Sequence, residues 1–503
     1  MTVWIQNPFD NLPCEGYRKQ RYWLMAEAFA RAGHSVVLWT SDFSHGAKAP
    51  RQILDSDLAQ RCGFTLRLIP TRPYAHNVGL ARVLSHRAYA RTWLRLALSP
   101  TSNFKPQNLQ PPTPPSLIIS STPHLSAAAA ALRLGRHFGA KVVIDVMDAW
   151  PETFIRLAPL ALRGLAALLL TPLTRLSRRL YREADFVTGV CERYRALTGR
   201  DDYYLAYHGV ELMNCKSETV EHGPIRLVYA GHVGKTYDLA TVFRAVEENP
   251  DFTLDLAGRW TGPVPARVTV HGYLGQDALQ KLLASCDIGI IPMNPDSWVG
   301  VPYKFCDYTQ AGLRIVSSLG GESTALLERY ACGVPYRPGD SRSLADAIRA
   351  AVRLDRTAAR KLCAEVLDAN EIYPAYVKTL TSASFAGHGP APHRREKAAK
   401  RRKFTDKMGK LFKEKLWEGW TPQMVVGRCR RDGIPMVRVE TLYKEYYRRP
   451  DHGRGVRQIL PGCLRKGCGE PRARIPQRNG VGPRLLLGGG RGACEAHPVM
   501  APN

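Results

Sequence analysis

Short apolar runs alternate with amphipathic stretches through the first two fifths of the chain. The runs are brief and rich in β-branched residues, which predicts strands at TVWI, SVVLWT, SLIIS and KVVID. Between them the periodicity is helical, first over residues 18–32, where Trp23, Ala26 and Ala30 share a face, and later over SAAAAALRLGRHF, which Gly139 ends. Strands that alternate with helices predict a mostly parallel sheet covered by helices.

The same alternation begins again near residue 225. Apolar runs predict strands at IRLVYAG, FTLDLAG, VTVHGYL, DIGIIPM and RIVSS. The helix after the first of these strands carries Leu239, Val242 and Val246 on one face, and SRSLADAIRAAV is an amphipathic helix with Ser and Asp at its start. We therefore predict an α/β protein with two Rossmann-like domains, residues 1–205 and 206–385, that face a central cleft.

A change of composition predicts a further, unrelated module at the C-terminus. A Gly/Pro break that runs into a charge cluster places a linker at 386–404. Of the net charge of +27, residues 391–503 carry +17, from 27 Lys and Arg against 10 Asp and Glu. Helical signals over 405–449 predict three short helices, the last at 440–449, in a basic helix-turn-helix layout, so that non-specific DNA binding is expected through 391–449. The Gly-, Arg- and Pro-rich remainder, 450–503, is expected to be disordered.

Composition bounds the class of protein. Apolar residues make up 45% of the chain and charged residues 23%, as in soluble globular proteins. The start MTVWIQNPFDNLP lacks the basic and apolar regions of a signal peptide, and no stretch of about 18 uninterrupted apolar residues occurs. We therefore expect a cytoplasmic protein without a spanning helix. The twelve scattered cysteines favour neither a disulfide framework nor a zinc site.

One stretch, at residues 157–182, suggests contact with a membrane surface. The segment LALRGLAALLLTPLTRLSRRLYR mixes a Leu-rich helix with five Arg. Basic amphipathic helices bind anionic membranes, which would place the protein at the inner face of the membrane. The alternative is a buried domain helix with an exposed basic face.

A glycine-rich loop after the strand at IRLVYAG has the form of a phosphate site. In YAGHVGKTYDL, Gly231 and Gly234 can present backbone N–H groups and a helix N-terminus to a diphosphate, and Lys235 can add a cation. The alternative is a tight turn with a solvated lysine.

The segment VPYKFCDYTQAG is a second candidate. Its Lys304 and Asp307 lie three residues apart and share a face of a predicted helix. The cation suits a leaving diphosphate and the carboxylate suits sugar or ribose hydroxyls. The alternative is a surface ion pair.

The segment DVMDAWPETF is a third candidate, directly after a strand. Asp145, Asp148 and Glu152 lie near Trp150, and carboxylates beside an aromatic ring suit a sugar, whose hydroxyls need acceptors and whose C–H face packs on the ring. The alternative is a helix start with Pro151 at its first position and Asp148 as its cap, and both interpretations can hold together.

In their order and spacing these segments resemble the family-four, GT-B-fold, retaining glycosyltransferases that build bacterial surface polysaccharides. The resemblance runs over residues 1–380 and includes ISSTPHLSA, VVIDVMDAWPE, YAGHVGK, VHGYLG, CDIGIIPM and YKFCDYTQAG. The signature D-x-x-D-x-W-P-E is most similar to a branch that includes acetamido-fucose transferases. The resemblance implies transfer of a hexosyl or N-acetylhexosaminyl group, with retention, from a UDP-linked nucleotide sugar to a polysaccharide or lipid-linked saccharide acceptor.

The same resemblance implies a set of donor-binding residues. The two glycines and the lysines hold the diphosphate, the pair at 272 and 273 borders the base, and the aspartate, usually Glu in the family, binds the ribose. These residues are Gly231, Gly234, Lys235, Gly272, Tyr273, Lys304 and Asp307.

On the acceptor side the resemblance implies that Gly16 and Arg21 border the cleft from the first domain. Asp145, Trp150 and Glu152 belong to the same region. Asp148 would lie near the acceptor or the transferring sugar, so the catalytic candidates are Asp148, Lys235 and Lys304.

The sequence departs from the family pattern in two places. The E-x7-E pair has Asp307 at its second position but Val299 at its first, which puts the sugar contacts of that Glu in doubt. The His that many relatives have before the MDAW position is also missing. Such enzymes need no metal, because lysines and helix N-termini stabilise the leaving diphosphate. We therefore expect neither metal nor cofactor, and no D-x-D motif placed to coordinate a divalent cation is found.

Two other classes of function stay open. A sugar-nucleotide epimerase has the same double-Rossmann architecture but requires acid/base carboxylates and His in the cleft, a set that these motifs lack. A DNA-binding protein would act through residues 405–449, where W-T-P followed by E-T-L-Y resembles the DNA-binding part of insertion-sequence transposases. An insertion element fused to the end of a glycosyltransferase gene is our hypothesis for this extension.

Overall fold

The computed structural model describes most of the first 382 residues and a short part of the C-terminal region. The described residues are 1–77, 79–98, 113–212, 223–231, 233–234, 236–295, 297–382, 406–418, 420, 422–434, 436–437 and 439. They belong to two compact units, Met1–Ala399 and Lys400–Asn503.

The first half of the larger unit is built on one parallel sheet. Its strands are β1 (Thr2–Gln6), β2 (Ser35–Ser41), β3 (Phe43–Ser44), β4 (Ala49–Pro50), β5 (Thr65–Ile69), β6 (Leu117–Thr122), β7 (Lys141–Val146), β8 (Phe186–Gly189) and β9 (Tyr203–Leu205). Among the described residues the parallel order is β5-β2-β1-β6-β7-β8-β9, while β3 and β4 pair as a small hairpin. The order reverses between β1 and β6, and open α/β sheets bind ligands at such a point.

Helices cover both faces of this sheet. They are α1 (Arg21–Arg31), α2 (Leu58–Arg61), α3 (Leu80–Leu98), α4 (Leu125–Phe138), α5 (Glu152–Leu157), α6 (Arg163–Glu183) and α7 (Arg195–Thr198). Successive side chains of β1 point to opposite faces of the sheet and so contribute to the apolar core on each face. Trp4 packs with Trp39 and Trp93 on one face, and Val3 and Ile5 pack against α1 on the other.

The second half repeats the plan with a sheet in the order of a Rossmann fold. Its strands are β10 (Ile225–Ala230), β11 (Phe252–Ala257), β12 (Val268–Gly272), β13 (Ile288–Ile291), β14 (Arg314–Ser317) and β15 (Gly333–Pro335). Its helices are α8 (Leu239–Glu248), α9 (Gln276–Ala284), α10 (Tyr303–Ala311), α11 (Glu322–Tyr330), α12 (Ser341–Val352), α13 (Arg356–Val366) and α14 (Ala369–Thr381). The parallel order β12-β11-β10-β13-β14-β15 confirms the predicted pair of Rossmann-like domains.

Helix α14 returns from the second domain to the first. Its Tyr373, Tyr376 and Leu380 are buried in the same core cluster as α1. The Tyr376 hydroxyl lies 3.1 Å from Thr188 Oγ1, and Tyr373 accepts a hydrogen bond from a backbone N–H in the crossover between the domains. The end of the larger unit therefore stabilises the domain in which the chain begins.

A fully buried ion pair joins α1 to the centre of the first sheet. The Arg21 guanidinium donates to both carboxylate oxygens of Asp145, at 2.8 and 2.9 Å, and also to the backbone carbonyls of Ala206 and Tyr207. Burial raises the pKa of the Asp145 carboxyl, but the charge and hydrogen bonds of Arg21 outweigh this, so that the pKa lies below its ordinary value. The pair therefore holds one helix, one strand and the interdomain crossover together.

Helix α6 lies largely on the surface. Leu168 and Leu169 are 69% and 70% exposed, and of this helix only Ser177, Leu180 and Tyr181 are buried. The interpretation as a buried domain helix is therefore wrong for its N-terminal half.

The same segment corrects the expectation that the chain has no helix able to span a membrane. Among the described residues one stretch, Leu160–Glu183, is long and apolar enough for this by length and composition. Arginines interrupt the apolar residues, which is why a search for an uninterrupted run misses it.

The smaller unit contains two described helices, α15 (Asp406–Trp417) and α16 (Pro422–Arg431). Phe412 and Val425 pack together with Cys429, and Gly433 turns the chain after α16 with a φ of +67°. The predicted third helix at 440–449, the linker at 386–404 and the segment 450–503 lie outside the described residues.

We predict that Asp145→Ala strongly destabilises the protein, because Arg21 would stay buried without its counter-charge. Breaking a buried pair in this way costs about 3–5 kcal/mol, which urea-induced unfolding followed by circular dichroism would measure. Asp55→Ala, which removes the exposed partner of Arg61, is the control and should leave the unfolding midpoint unchanged. Equal midpoints for the two variants would contradict the structural role of the pair.

Candidate functional site

The carboxyl ends of β10 and β13 lie side by side where the strand order of the second sheet reverses. The loop after β10 contains the predicted diphosphate residues Gly231 and Gly234, whereas Lys235 lies outside the described residues. The loop after β13 is tied to it, since the backbone N–H of Asn294 donates to the carbonyl of Thr236 at 2.9 Å. Both loops therefore open into the same crevice, as expected for a ligand site.

Lys304 lies directly against the backbone of the glycine loop. Gly231 has a φ of +122°, and a Cβ atom built there would be 2.8 Å from Lys304 Nζ. Only glycine tolerates both the backbone conformation and this approach. The structure thus brings together Gly231 and Lys304, which the sequence predicts to bind the same diphosphate.

The ammonium group of Lys304 is held by aromatic rings. The side chain is 8% exposed, and Nζ lies 4.7 Å from the ring centroid of Tyr229 and 4.2 Å from that of Tyr237. Cation–π contacts of this kind fix an ammonium group without neutralising it. No carboxylate forms an ion pair with Lys304 in the described part of the chain. The cation is in the first turn of α10, where the helix dipole also favours an anion.

Asp307 lies one turn further along α10 and pairs across the domains. Its Oδ1 accepts a hydrogen bond from Arg18 Nη1 at 2.5 Å, and the Arg18 guanidinium also lies 4.8 Å from the ring centroid of Tyr303. Burial raises the pKa of Asp307 although Arg18 and Lys304 both oppose the shift. The predicted ribose ligand is therefore present in the crevice, with a cation of the first domain beside it.

Gly272 and Tyr273 follow one another at the end of β12. Gly272 ends this strand with a φ of +67°, and Tyr273 after it is 68% exposed. Burial raises the pKa of Tyr17 in the first domain, and the charge of Tyr273 adds to the shift. Tyr273 therefore has an exposed ring at the position for which the resemblance implies the nucleotide base.

A cleft of about 790 Å³ is lined by residues of both domains, among them Asn294 of the loop after β13. Val299, which replaces the first Glu of the family pair, lines it together with Glu322 at the start of α11. A Cβ built on Gly300 would be 3.2 Å from Glu322 Oε2. The Glu322 carboxylate therefore lies next to position 299, where valine replaces the Glu of the family pattern. Burial raises the pKa of Glu322.

Glu322 also bridges the domains. Its carboxylate accepts a hydrogen bond from the backbone N–H of Glu192 in the first domain, at 2.9 Å, and one from the hydroxyl of Tyr207 in the crossover between the domains, at 2.5 Å. The carboxylate is therefore fixed in orientation at the wall of the cleft.

On the first-domain side the predicted residues separate into two groups. Gly16 closes the turn before α1 with a φ of +84°, and its Cβ position would face Leu54. Arg21 and Asp145 are fully buried and form an ion pair with each other. They therefore stabilise the interior of the first domain instead of lining the cleft. Charge and spacing alone could not distinguish a buried pair from two cleft residues.

Asp148 and Trp150 lie after β7 in contact with α3. Burial raises the pKa of Asp148, although the charge of Arg82 opposes the shift. The Arg82 guanidinium lies 5.9 Å from the Trp150 ring centroid. Asp148 does not cap α5, since that helix begins at Glu152 after Pro151, without a side-chain cap. Burial also raises the pKa of Glu152.

Within the described residues no group of three or more His, Cys, Asp and Glu could hold a metal ion. One D-x-D spacing does occur among the described residues, at Asp55 and Asp57. Asp55 pairs with Arg61, and Asp57 directly precedes α2, so both carboxylates belong to a surface turn.

Sequence reasoning missed Arg18 and Glu322. Arg18 lies just before α1, and nothing in its neighbourhood indicates a partner 289 positions away. Glu322 follows two glycines in the loop at the carboxyl end of β14. Loops at this end of a strand often carry functional residues, so this placement could have indicated Glu322 as a site candidate.

Family models match both halves of the chain. A model described as a glycosyl transferase 4-like domain matches residues 19–204, and one described as glycosyl transferases group 1 matches residues 225–353. No curated protein matches the sequence.

Solved structures share the fold at low sequence identity. Sucrose-phosphate synthase from Thermosynechococcus elongatus is 13% identical with a TM-score of 0.55, and the alignment covers 76% of this chain and 99% of that one. HepE from Anabaena, solved with UDP-glucose, is 14% identical with a TM-score of 0.52 and the same coverage. The two family models together span more than half of the sequence, and both sheets have the Rossmann-like order, so the chain belongs to the GT-B glycosyltransferases.

Proposed function

We propose that this glycosyltransferase moves a sugar from a UDP-linked donor to a polysaccharide or lipid-linked saccharide, with retention and without a metal ion. The observation that supports this most is Lys304, a buried cation held by two rings against the backbone of Gly231. A cation fixed in advance at this point offsets the charge that develops on the leaving diphosphate, and it does so without reorganisation.

The other donor-side roles follow from the family resemblance. We infer that Asp307, one helical turn from Lys304, binds the ribose and that the exposed ring of Tyr273 borders the base. Asn294 lines the large cleft and is joined to the glycine loop by its backbone hydrogen bond to Thr236, so the sugar would have room in this cleft.

For the sugar itself we propose Glu322 as the carboxylate that binds hydroxyl groups. The Val299 side chain cannot accept a hydrogen bond, whereas the Glu322 carboxylate lies against the neighbouring Gly300 and lines the same cleft. This compensates for the departure from the E-x7-E pattern by a residue of a different element.

Several finer features of the proposal rest on the family resemblance. A hexosyl or N-acetylhexosaminyl donor follows from the branch with the D-x-x-D-x-W-P-E signature, and retention follows from family four. UDP is supported by HepE of Anabaena, which was solved with UDP-glucose. A sugar-nucleotide epimerase is the weaker alternative because both family models describe transferases. A cytoplasmic enzyme that works at the inner face of the membrane completes the proposal.

We predict that the protein binds UDP in excess chelator and that Lys304→Ala weakens transfer on the order of a hundredfold with the fold intact. The variant removes the fixed cation but leaves both tyrosines in place. Isothermal titration with UDP and turnover of UDP-glucose would measure the two effects. Lys281→Ala, on α9, is the control. Binding that vanishes with chelator, or unchanged turnover of the variant, would refute the lysine-based mechanism.

We predict that Glu322→Ala weakens UDP-glucose binding on the order of tenfold and leaves UDP binding unchanged, because only the sugar reaches this carboxylate. Glu328→Ala, exposed on the same helix, is the matched control. A parallel loss of UDP affinity would instead assign Glu322 to the domain interface.

The exposed part of α6 is proposed to bind an anionic membrane. Its N-terminal half exposes Leu165, Leu168 and Leu169, and its C-terminal half exposes arginines, so that apolar insertion and charge attraction act together. Since Leu180 and Tyr181 anchor the C-terminal end in the domain core, the helix is expected to lie along the surface and not to cross it.

We predict that replacing Arg175, Arg178 and Arg179 by Glu releases the protein from vesicles that contain anionic lipid, because attraction becomes repulsion. Vesicle flotation at low and physiological salt would measure this. A variant with Glu at three exposed basic positions of the second domain, Arg342, Arg353 and Lys361, controls for the change of net charge. Equal flotation of the two variants would count against this surface.

The C-terminal extension is a separate proposal. The basic helices α15 and α16 agree with two of the three predicted helical segments, and non-specific DNA binding through 391–449 stays a prediction. The likeness to insertion-sequence transposases also stays a hypothesis.

A further inference from the structure

A second cluster of polar and aromatic side chains lies at the carboxyl edge of the first sheet. The ring of Phe9, after β1, has three imidazoles around it at centroid distances of 5.2, 5.5 and 5.8 Å, from His45, His86 and His124. Phe9, His86 and His124 line a small pocket together with Tyr74, whose hydroxyl lies 2.6 Å from His45 Nδ1. Ligands of open α/β sheets bind at this edge.

Two cations lie over aromatic rings of this cluster. Lys48 Nζ lies 5.1 Å from the ring centroid of Tyr74 and donates to the carbonyl of His45. The Arg82 guanidinium lies 5.5 Å from the ring centroid of Phe9, and its Nε donates to His86 Nε2 at 3.3 Å. Both cations are thus fixed by neutral groups.

Neither cation has a carboxylate within ion-pair distance among the described residues. Arg51 differs from these two cations because it forms an ion pair with Glu15 at 2.5 Å. Asp148 acts on Arg82 only through its longer-range field, so one negative charge faces two positive ones. Positive charge that is partly buried and uncompensated is costly, and an anion would relieve that cost.

Burial and the neighbouring cations shift the pKa values of this cluster in the same direction. Burial lowers the pKa of Lys48 to about 8, and the charge of Arg82 adds to the shift. Burial also lowers the pKa values of His45 and His86 to about 3, again with a contribution from Arg82. The imidazoles are therefore neutral at physiological pH and can orient the two cations without adding to their charge.

We propose that Lys48 and Arg82 form an anion-binding subsite for a phosphate or diphosphate group of the acceptor. The proposal rests on the proposed function, since it places the acceptor opposite the donor domain. Arg82 also contacts Trp150, which leads directly into α5 and the exposed apolar helix α6. The phosphate could belong to a lipid-linked saccharide or to a soluble phosphorylated one, and the chemistry of recognition is the same.

The test uses the full chain with saturating UDP, so that the donor crevice is occupied. Equilibrium dialysis would measure binding of inorganic phosphate and of octyl phosphate to the parent and to Lys48→Met and Arg82→Met. Each substitution should weaken both probes about tenfold or more, whereas Arg82→Lys should keep most of the affinity. Arg91→Met, exposed on the same helix α3, is the matched control.

The outcomes separate the possible conclusions. Parent-like phosphate binding in folded Lys48→Met and Arg82→Met would overturn the subsite. Tighter binding of octyl phosphate than of inorganic phosphate, lost in Leu168→Ser with Leu169→Ser, supports a lipid-linked source, and equal binding supports a soluble one. UDP affinity measured in the same variants should not change. If the parent binds phosphate at Lys48 and Arg82 but no UDP, the proposed function fails and the anion subsite stands.

Discussion

The ion pair between Arg21 and Asp145 is the interaction on which the architecture depends. It is fully buried and joins α1 to β7, while the remaining donors of Arg21 bind carbonyls of the crossover between the domains. Tyr376 of α14 contacts the same network through Thr188, which itself donates to Asp145. A charge pair buried so deeply is stable only when each donor and acceptor is satisfied, so these elements are fixed relative to one another.

This rigid base positions a crevice whose charges come from both domains. Lys304 is fixed by aromatic rings and not by a carboxylate, which leaves its charge available to an anion. Arg18 reaches from the first domain to Asp307 of the second, and Tyr207 of the crossover contacts Glu322. Because both carboxylates already accept these hydrogen bonds, the proposed donor binding and the interdomain contacts would involve the same groups.

The proposed roles divide the enzyme by chemistry. The second domain would neutralise the leaving diphosphate with Lys304, and the first would hold an anionic acceptor with Lys48 and Arg82. The exposed half of α6 extends from the same first domain, so that a lipid-linked acceptor could reach the cleft from the membrane surface. Each role requires a cation without an ion-pair partner, and the described structure offers such cations at the edges of the two sheets.

The sequence by itself determined the two-domain plan and the strands and helices that carry a clear local pattern, because apolar runs and helical periodicity follow directly from burial. The strands β5, β8, β9 and β15 and the helix α3 were not predicted. Gly231, Lys304 and Asp307 could be named as candidate site residues, since the motifs that contain them are contiguous. Only the tertiary structure decided that Arg21 and Asp145 are buried partners, that α6 exposes its leucines, and that Glu322 lies beside the position that Val299 occupies. Those relations depend on distances between separate segments of the chain, or on which face of a helix is covered, and neither is encoded in local spacing.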